Sequence, residues 1–389
     1  MIIAGLLIVL SLLSVAALTQ WYGYRLGGTI TISIMAVYTL KNAVMLPIFI
    51  LSFAIAYVGL QLLKDRTLIY GRQELLAAIV IGSVIPLTTL LTLTAIADQG
   101  LQSILFIGSI LPGLAAYNYH QLKPGHRRDD LLAATGLLGA LLALGFVLIT
   151  PANAARFGSV TPPVLFSQTA DIAVFKGATV STPTEPALIQ QRLGAIVLLV
   201  GMVLSEVVRS RFGLRIGIVS IALLAVFSLA SVWLLVVFLA VFSVSYLAIE
   251  AINRSTLLYG RVLVGLGTAL AVLLSIPLSL ELPVVRGLSA LFVGILGGVS
   301  AYNFHVTPGG HRRTYVALSA AIFVPLMALA FLVGQPQPNA VIQSLTPTAI
   351  AVMAVLTAVS FTVAYWLTPS LPDDESVHAA SILSGGEGV

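Results

Sequence analysis

The chain contains no cysteine, which removes structural disulfides, cysteine-ligated zinc or iron–sulfur centres and any thiol nucleophile. Charge is scarce as well. Only 8% of the 389 residues are Asp, Glu, Lys or Arg, against about 25% in a soluble domain. Between Ile216 and Leu247 there is no Asp, Glu, Lys, Arg or His, and roughly 20 apolar residues already cross a bilayer as a helix. No Gly-x4-Gly-Lys-Ser/Thr run, no dinucleotide fingerprint after a strand and no sizeable soluble region occurs. The expectation is therefore no cofactor, with any energy supplied by a partner or a gradient. Carboxylates inside the apolar segments are few. Glu206 and Glu250 fall near segment ends, so the midplane carboxylate usual in a proton-coupled transporter is missing.

What is present is sequence suited to lipid: 59% of residues are hydrophobic. The first segment, Met1 to Leu18, lacks a basic leader and an obvious small-residue cleavage site before Trp21-Tyr22, and reads as a retained span. The net charge of +5 fits cytoplasmic loops that collect Lys and Arg better than it fits nucleic acid.

The sequence is also written twice. Tyr117-Asn118-Tyr119-His120-Gln121-Leu122-Lys123-Pro124-Gly125-His126-Arg127-Arg128 returns as Tyr302-Asn303-Phe304-His305-Val306-Thr307-Pro308-Gly309-Gly310-His311-Arg312-Arg313, identical at seven of twelve positions. Thr67-Leu68-Ile69-Tyr70-Gly71-Arg72 returns as Thr256-Leu257-Leu258-Tyr259-Gly260-Arg261, and Gly23-Tyr24-Arg25-Leu26-Gly27 as Gly213-Leu214-Arg215-Ile216-Gly217. Order and separation are kept, so the reading is a tandem duplication. Copy one offers apolar segments at 2–20, 26–40, 43–63, 74–96, 102–119 and 131–150. Copy two offers them at 193–208, 214–228, 231–252, 262–280, 287–304 and 315–333, and 348–367 is unpaired. The second and fifth of each set are short, which suggests little tilt, re-entrance or a break.

The expected fold is all-α and polytopic, with about 12–13 transmembrane segments in two parallel repeats of about six plus one extra C-terminal helix. Residues 1–150 and 191–333 are the membrane repeats. Residues 151–190, rich in Pro, Ser and Thr, read as an extracytoplasmic linker, 334–367 as a loop and extra helix, and 368–389 as a disordered cytoplasmic tail. With the N-terminus outside and every segment crossing, Arg25, Lys64, Arg66, Arg72, Lys123, Arg127, Arg128, Arg209, Arg211, Arg215, Arg254, Arg261, Arg312 and Arg313 face the cytoplasm. That is fourteen of the 19 basic residues, as the positive-inside rule asks.

Chemistry concentrates at repeated turns. Tyr70 and Arg72, repeated as Tyr259 and Arg261, flank a glycine that permits a left-handed turn. His126-Arg127-Arg128 and His311-Arg312-Arg313 gather imidazole and guanidinium groups suited to carboxylate or phosphate; anchoring to anionic headgroups is the plainer alternative. A metal is not expected, because only Asp129 and Asp130 of copy one stand near. Pro112-Gly113 and Gly297-Gly298 sit mid-segment, where a broken helix could line a path or small residues could pack helices closely. Asn118, Asn303, His120 and His305 follow them as candidate path-lining groups.

Each copy resembles the membrane subunit of poly-gamma-glutamate synthase, the PgsC/CapC capsule-biosynthesis family. The resemblance rests on Tyr70-Gly71-Arg72, Leu258-Tyr259-Gly260-Arg261, Pro112-Gly113-Leu114-Ala115-Ala116 and Arg286-Gly287. It spans about 1–150 and 193–333. It implies a non-catalytic subunit beside a separate ATP-dependent amide ligase related to the Mur ligases, supporting assembly and export of an anionic polymer. The rival readings are a stand-alone secondary transporter of organic anions, an acyltransferase using His120 or His305, and a bare scaffold.

Overall fold

A computed structural model describes residues 1–69, 71–93, 110–181, 191–214, 216–284, 286–334, 336–344 and 346–367. Tyr70, Arg215, the tail from 368 and the side chains of Arg72, Glu206 and Arg209 lie outside the described residues. All regular structure described is helical. In lipid a backbone must satisfy its own hydrogen bonds, and long runs of Leu, Ala, Val and Ile do so as helices.

Copy one comprises α1 (Ile2–Tyr22), α2 (Thr31–Lys41), α3 (Met45–Arg66), α4 (Arg72–Leu93), α5 (Ile110–His120) and α6 (Arg127–Leu148). The joint holds α7 (Pro151–Phe157) and α8 (Asp171–Phe175). Copy two comprises α9 (Gln191–Phe212), α10 (Ile218–Ser228), α11 (Val232–Thr256), α12 (Gly260–Glu281), α13 (Gly287–Val306) and α14 (Arg312–Val333), and α15 (Pro347–Leu367) follows. Each of the thirteen apolar segments read from the sequence is met by a helix over its described residues; 94–96 of copy one's fourth segment and 102–109 of its fifth lie outside them. Among the described residues, eight helices are long and apolar enough to cross a membrane.

The helices pack in the same pattern in both copies. The third, fourth and fifth form one group: α3, α4 and α5, then α11, α12 and α13. The sixth packs on the first and second: α6 on α1 and α2, then α14 on α9 and α10. The copies meet directly, α1 lying along α12. There Gly5 backs onto Ile276 and Leu291, and Gly265 onto Leu12 and Ala16. The ring of Tyr38 meets Phe292 at 5.9 Å between centroids.

Three features of the reading become more definite. The second helices are shorter than foreseen, 11 residues each, or about 16 Å. The segment around α2 still traverses the bundle. Its start is fixed at one end of α6, where Arg25 and Leu26 donate their amides to Asp130. Its end lies fifteen residues along α6, with Leu40 filling the place of a side chain at Gly145. That is about 22 Å of helix, bridged because residues 23–30 are not helical. Copy two's fifth segment is not broken. α13 runs through Gly297 and Gly298 without interruption. Finally, residues 151–181, the described part of the 151–190 linker, are packed. They bury Val164, Leu165 and Phe166 and form a packed cap, tied to the α2–α3 turn by the Ala43 amide donating to Asp171 at 2.9 Å.

The cap marks one end of the bundle. In copy two the same end is closed by residues 337–341, stitched to the α10–α11 turn by Gln337 N–H to Leu229 O, Val232 N–H to Asn339 O and Val341 N–H to Ser228 O. The Pro162 carbonyl of the cap lies against Gly287, so both closures share that end. The opposite end carries the basic turns.

Candidate functional site

The site is built from two turns that make matching bonds. Each His-Arg-Arg turn is a single 3₁₀ turn, Pro124–His126 or Gly309–His311, feeding directly into the sixth helix of its copy. The first arginine folds back. Arg127 Nε donates to the Leu122 carbonyl at 3.3 Å and Nη1 to the Tyr57 hydroxyl at 3.2 Å. Arg312 Nε donates to the Thr307 carbonyl at 3.2 Å, Nη1 to the Tyr246 hydroxyl at 2.7 Å and Nη2 to the His305 carbonyl at 3.2 Å. Carbonyls left open at a helix C-terminus need a donor, and the planar guanidinium fork supplies several at once. Arg127 and Arg312 are thus latches between the fifth and third helices. The second arginines, Arg128 and Arg313, are exposed, as are His126 and Lys123; His311 is half-buried.

Tyr57 and Tyr246 were not legible in the turn sequences. Each ends an aromatic series at four-residue spacing, Phe49-Phe53-Tyr57 and Phe238-Phe242-Tyr246, and stands ten residues before the Thr of the Tyr-Gly-Arg turn. That shared offset was the available signal. The series stack on their own helices, at 6.5 Å and 18° for Phe49–Phe53 and 6.0 Å and 21° for Phe238–Phe242. Each tyrosine then meets an aromatic of the fifth helix edge-on, Tyr119 at 5.5 Å or Phe304 at 5.2 Å.

The histidines are engaged. His120 is buried, stacks on Tyr57 at 4.4 Å and places Nε2 3.0 Å from the Tyr57 carbonyl. His305 places Nδ1 2.9 Å from a Glu250 oxygen, while the other Glu250 oxygen accepts from Arg254. In copy one Glu74, 2% exposed, stands at this end and bridges Lys64 at 2.8 Å and Gln121 at 3.0 Å.

The Tyr-Gly-Arg turns have the expected left-handed glycines, with φ of 61° at Gly71 and 64° at Gly260. Tyr259 is exposed. Arg261 is turned inward and crosses to copy one, where Nη2 donates to Asn118 Oδ1 at 2.7 Å. Asn118 Nδ2 donates in turn to the Leu114 carbonyl at 2.8 Å and the Gly27 carbonyl at 3.3 Å. Arg25, Tyr117 and Asp130 stand within electrostatic reach of the Arg261 guanidinium, whose Nη1 is buried with no hydrogen-bond partner. Asn303 occupies the corresponding place beside Gly217, and there the Tyr315 hydroxyl reaches the Gly217 backbone.

The mid-segment glycines sit at helix contacts. A Cβ at Gly113 would land on the Ala78 carbonyl oxygen of α4; one at Gly298 would lie 2.5 Å from the Thr268 Cα of α12, and one at Gly297 3.0 Å from Val241 of α11. Pro112 is buried beside Gly113. No group of three or more metal-ligating side chains occurs among the described residues.

The bonds fix sidedness. The Arg261–Asn118 bridge joins the α12 start to the α5 end, and each sixth-helix start is tied to the glycine turn between its first two helices. Arg128 and Arg313 therefore face the same end of the bundle. Fold and site together define a multi-pass α-helical membrane protein with a basic, aromatic-latched face. Residues 10–128 match the family model described as capsule biosynthesis CapC. The stretch runs from within α1 to Arg128, so the family resemblance read from the motifs holds over copy one. No curated protein and no solved structure matches the chain.

Proposed function

We propose that this protein is the membrane subunit of a capsule-polymer synthase, a tandem duplication of the CapC-type unit. Its basic face, at the cytoplasmic side, docks a separate Mur-type ATP-dependent amide ligase and receives nascent poly-gamma-glutamate. The N-terminus is then outside and the C-terminal tail inside. One observation carries the reading: the exposed Lys123, His126 and Arg128 of copy one share an end of the bundle with the exposed Arg313 of copy two. A polycarboxylate is attracted to such a surface by charge before any specific contact forms. The matched Arg127–Tyr57 and Arg312–Tyr246 latches and the direct packing of the copies support the duplication. The groups that hold anions are then narrower than the sequence suggests. Arg127, Arg312 and Arg261 position the turns, and Arg128, Arg313, His126, His311 and Lys123 meet the polymer.

The test is the Arg128→Glu/Arg313→Glu double variant, produced together with the ligase. The expected result is a folded chain in the membrane, with ligase recovery in mild detergent and polymer output both reduced. Unchanged recovery and output would remove the handover role.

A further inference from the structure

α6 and α14 occupy the same station in their copies. Each follows a 3₁₀ turn, and each packs on its copy's first and second helices. They differ on one stripe. On α6, Asp129, Leu132, Gly136, Gly139, Ala140 and Ala143 are exposed, and a Cβ at Gly136 or Gly139 would meet nothing within 4 Å. The matching α14 residues are Thr314, Ala317, Ala321, Val324, Pro325 and Ala328, and every one is buried or half-buried. Among the described residues, the helix contact that α14 has and α6 lacks is α15. It runs antiparallel to α14, fixed where the Thr314 hydroxyl donates to the Leu367 carbonyl at 3.2 Å. The stripe that is covered in copy two is thus open in copy one, where Gly136, Gly139 and Ala140 stand in the places of Ala321, Val324 and Pro325.

We propose that the open stripe of α6 seats one membrane-spanning helix of a separate polypeptide, as α15 is seated on α14. In lipid, where apolar burial gives no net drive, small residues let two helix backbones approach and gain packing. Gly136, Gly139, Ala140 and Ala143 offer that groove. Asp129 stands exposed at its mouth, where the α15 side has Thr314 donating to a helix-end carbonyl. A carboxylate there suits a span flanked by Lys or Arg at the basic end of the bundle. A second copy of this chain fits less well. A twofold α6–α6 pair in one membrane runs parallel and sets Asp129 against Asp129 and Arg128 against Arg128. The inference rests on the equivalence of the two copies within the proposed duplication and needs nothing from the polymer.

The absence of cysteine makes the test direct. Single variants Gly139→Cys and Ala143→Cys report the stripe, Val324→Cys its covered counterpart, and Leu131→Cys a site on another face of the same helix, exposed like its counterpart Val316. Labelling with a lipid-phase maleimide is compared in native membranes and in vesicles holding the purified chain alone. The expected result in native membranes is labelling at both stripe positions several times slower than at Leu131→Cys. In vesicles the stripe should match Leu131→Cys, with Val324→Cys slow in both. A photo-crosslinker at Gly139 should then join a single apolar segment with a basic flank in another protein, and Asp129→Arg should lower the yield. Equal labelling in native membranes would mean lipid covers the stripe. A disulfide or adduct between two copies would mean the chain pairs with itself. Either overturns the inference and leaves ligase docking, read from Arg128→Glu/Arg313→Glu, standing on its own test.

Discussion

At the scale of single residues, the two arginines of each His-Arg-Arg turn have different work, although the sequence writes them side by side. Arg312 bonds two carbonyls and a tyrosine hydroxyl at the end of α13, whereas Arg313 is exposed. A lysine keeps the charge but cannot fork. Arg312→Lys should therefore lower stability by about 1–3 kcal/mol, the scale of lost hydrogen bonds to a charged group that leave buried acceptors open. Arg313→Lys should change it by less than about 0.5 kcal/mol, as surface replacements do. Thermal unfolding of the purified variants in detergent checks both. Equal losses would show that the latch is not structural. Tyr246→Phe removes only the hydroxyl that Arg312 reaches and should reproduce part of the Arg312→Lys loss, with Tyr57→Phe its partner in copy one.

Among the helices, the glycines divide into two sets that the sequence does not distinguish. Gly113 and Gly298 lie where a neighbouring backbone occupies the space a side chain needs, while Gly136 and Gly139 face open space. Gly298→Val should separate α13 from α12 and cost about 1–3 kcal/mol or more, the usual penalty for overpacking. Gly136→Ala should hold or raise the stability of the purified chain by up to about 1 kcal/mol, because alanine orders a helix interior better than glycine. Denaturant or thermal melts of the two variants decide it, and destabilisation by Gly136→Ala would show that the stripe is already filled.

The same division shows how much could be read beforehand. Element existence followed from hydropathy, because lipid forces every apolar run into a helix, and the thirteen segments were met by thirteen helices. Helix neighbours were not legible. Hydrophobic residues on a span face lipid as readily as protein, so pattern alone cannot tell Gly298 from Gly136. For the same reason a paired glycine at 297–298 reads equally as a break and as a contact. The turns were legible as a site because charge is rare here, yet the tyrosines that hold them are ordinary residues in an apolar helix. Tyr57 and Tyr246 emerge only once their shared offset from the Tyr-Gly-Arg turns is considered.

For the molecule as a whole, sidedness is the property on which polymer handover depends. The Asn118–Arg261 bridge and the paired sixth-helix turns place Arg128 and Arg313 at one end; Thr169, in the 151–181 cap, and Gln343, in the loop before α15, lie at the other, and both are exposed. An even number of crossings per copy is the only parity compatible with this, since an odd number would carry copy two's basic turns to the far face. Single cysteines at Arg128, Arg313, Thr169 and Gln343, labelled in intact cells with an impermeant maleimide, should separate into two pairs. Thr169→Cys and Gln343→Cys should react from outside. Arg128→Cys and Arg313→Cys should react only after the membrane is opened, because basic loops are retained in the cytoplasm. If the pairs hold but exchange sides, the bundle stands and the ligase has no access to its basic face. If Arg128→Cys and Arg313→Cys react from different sides, the Arg261–Asn118 bridge cannot exist and the two copies cannot share a polymer.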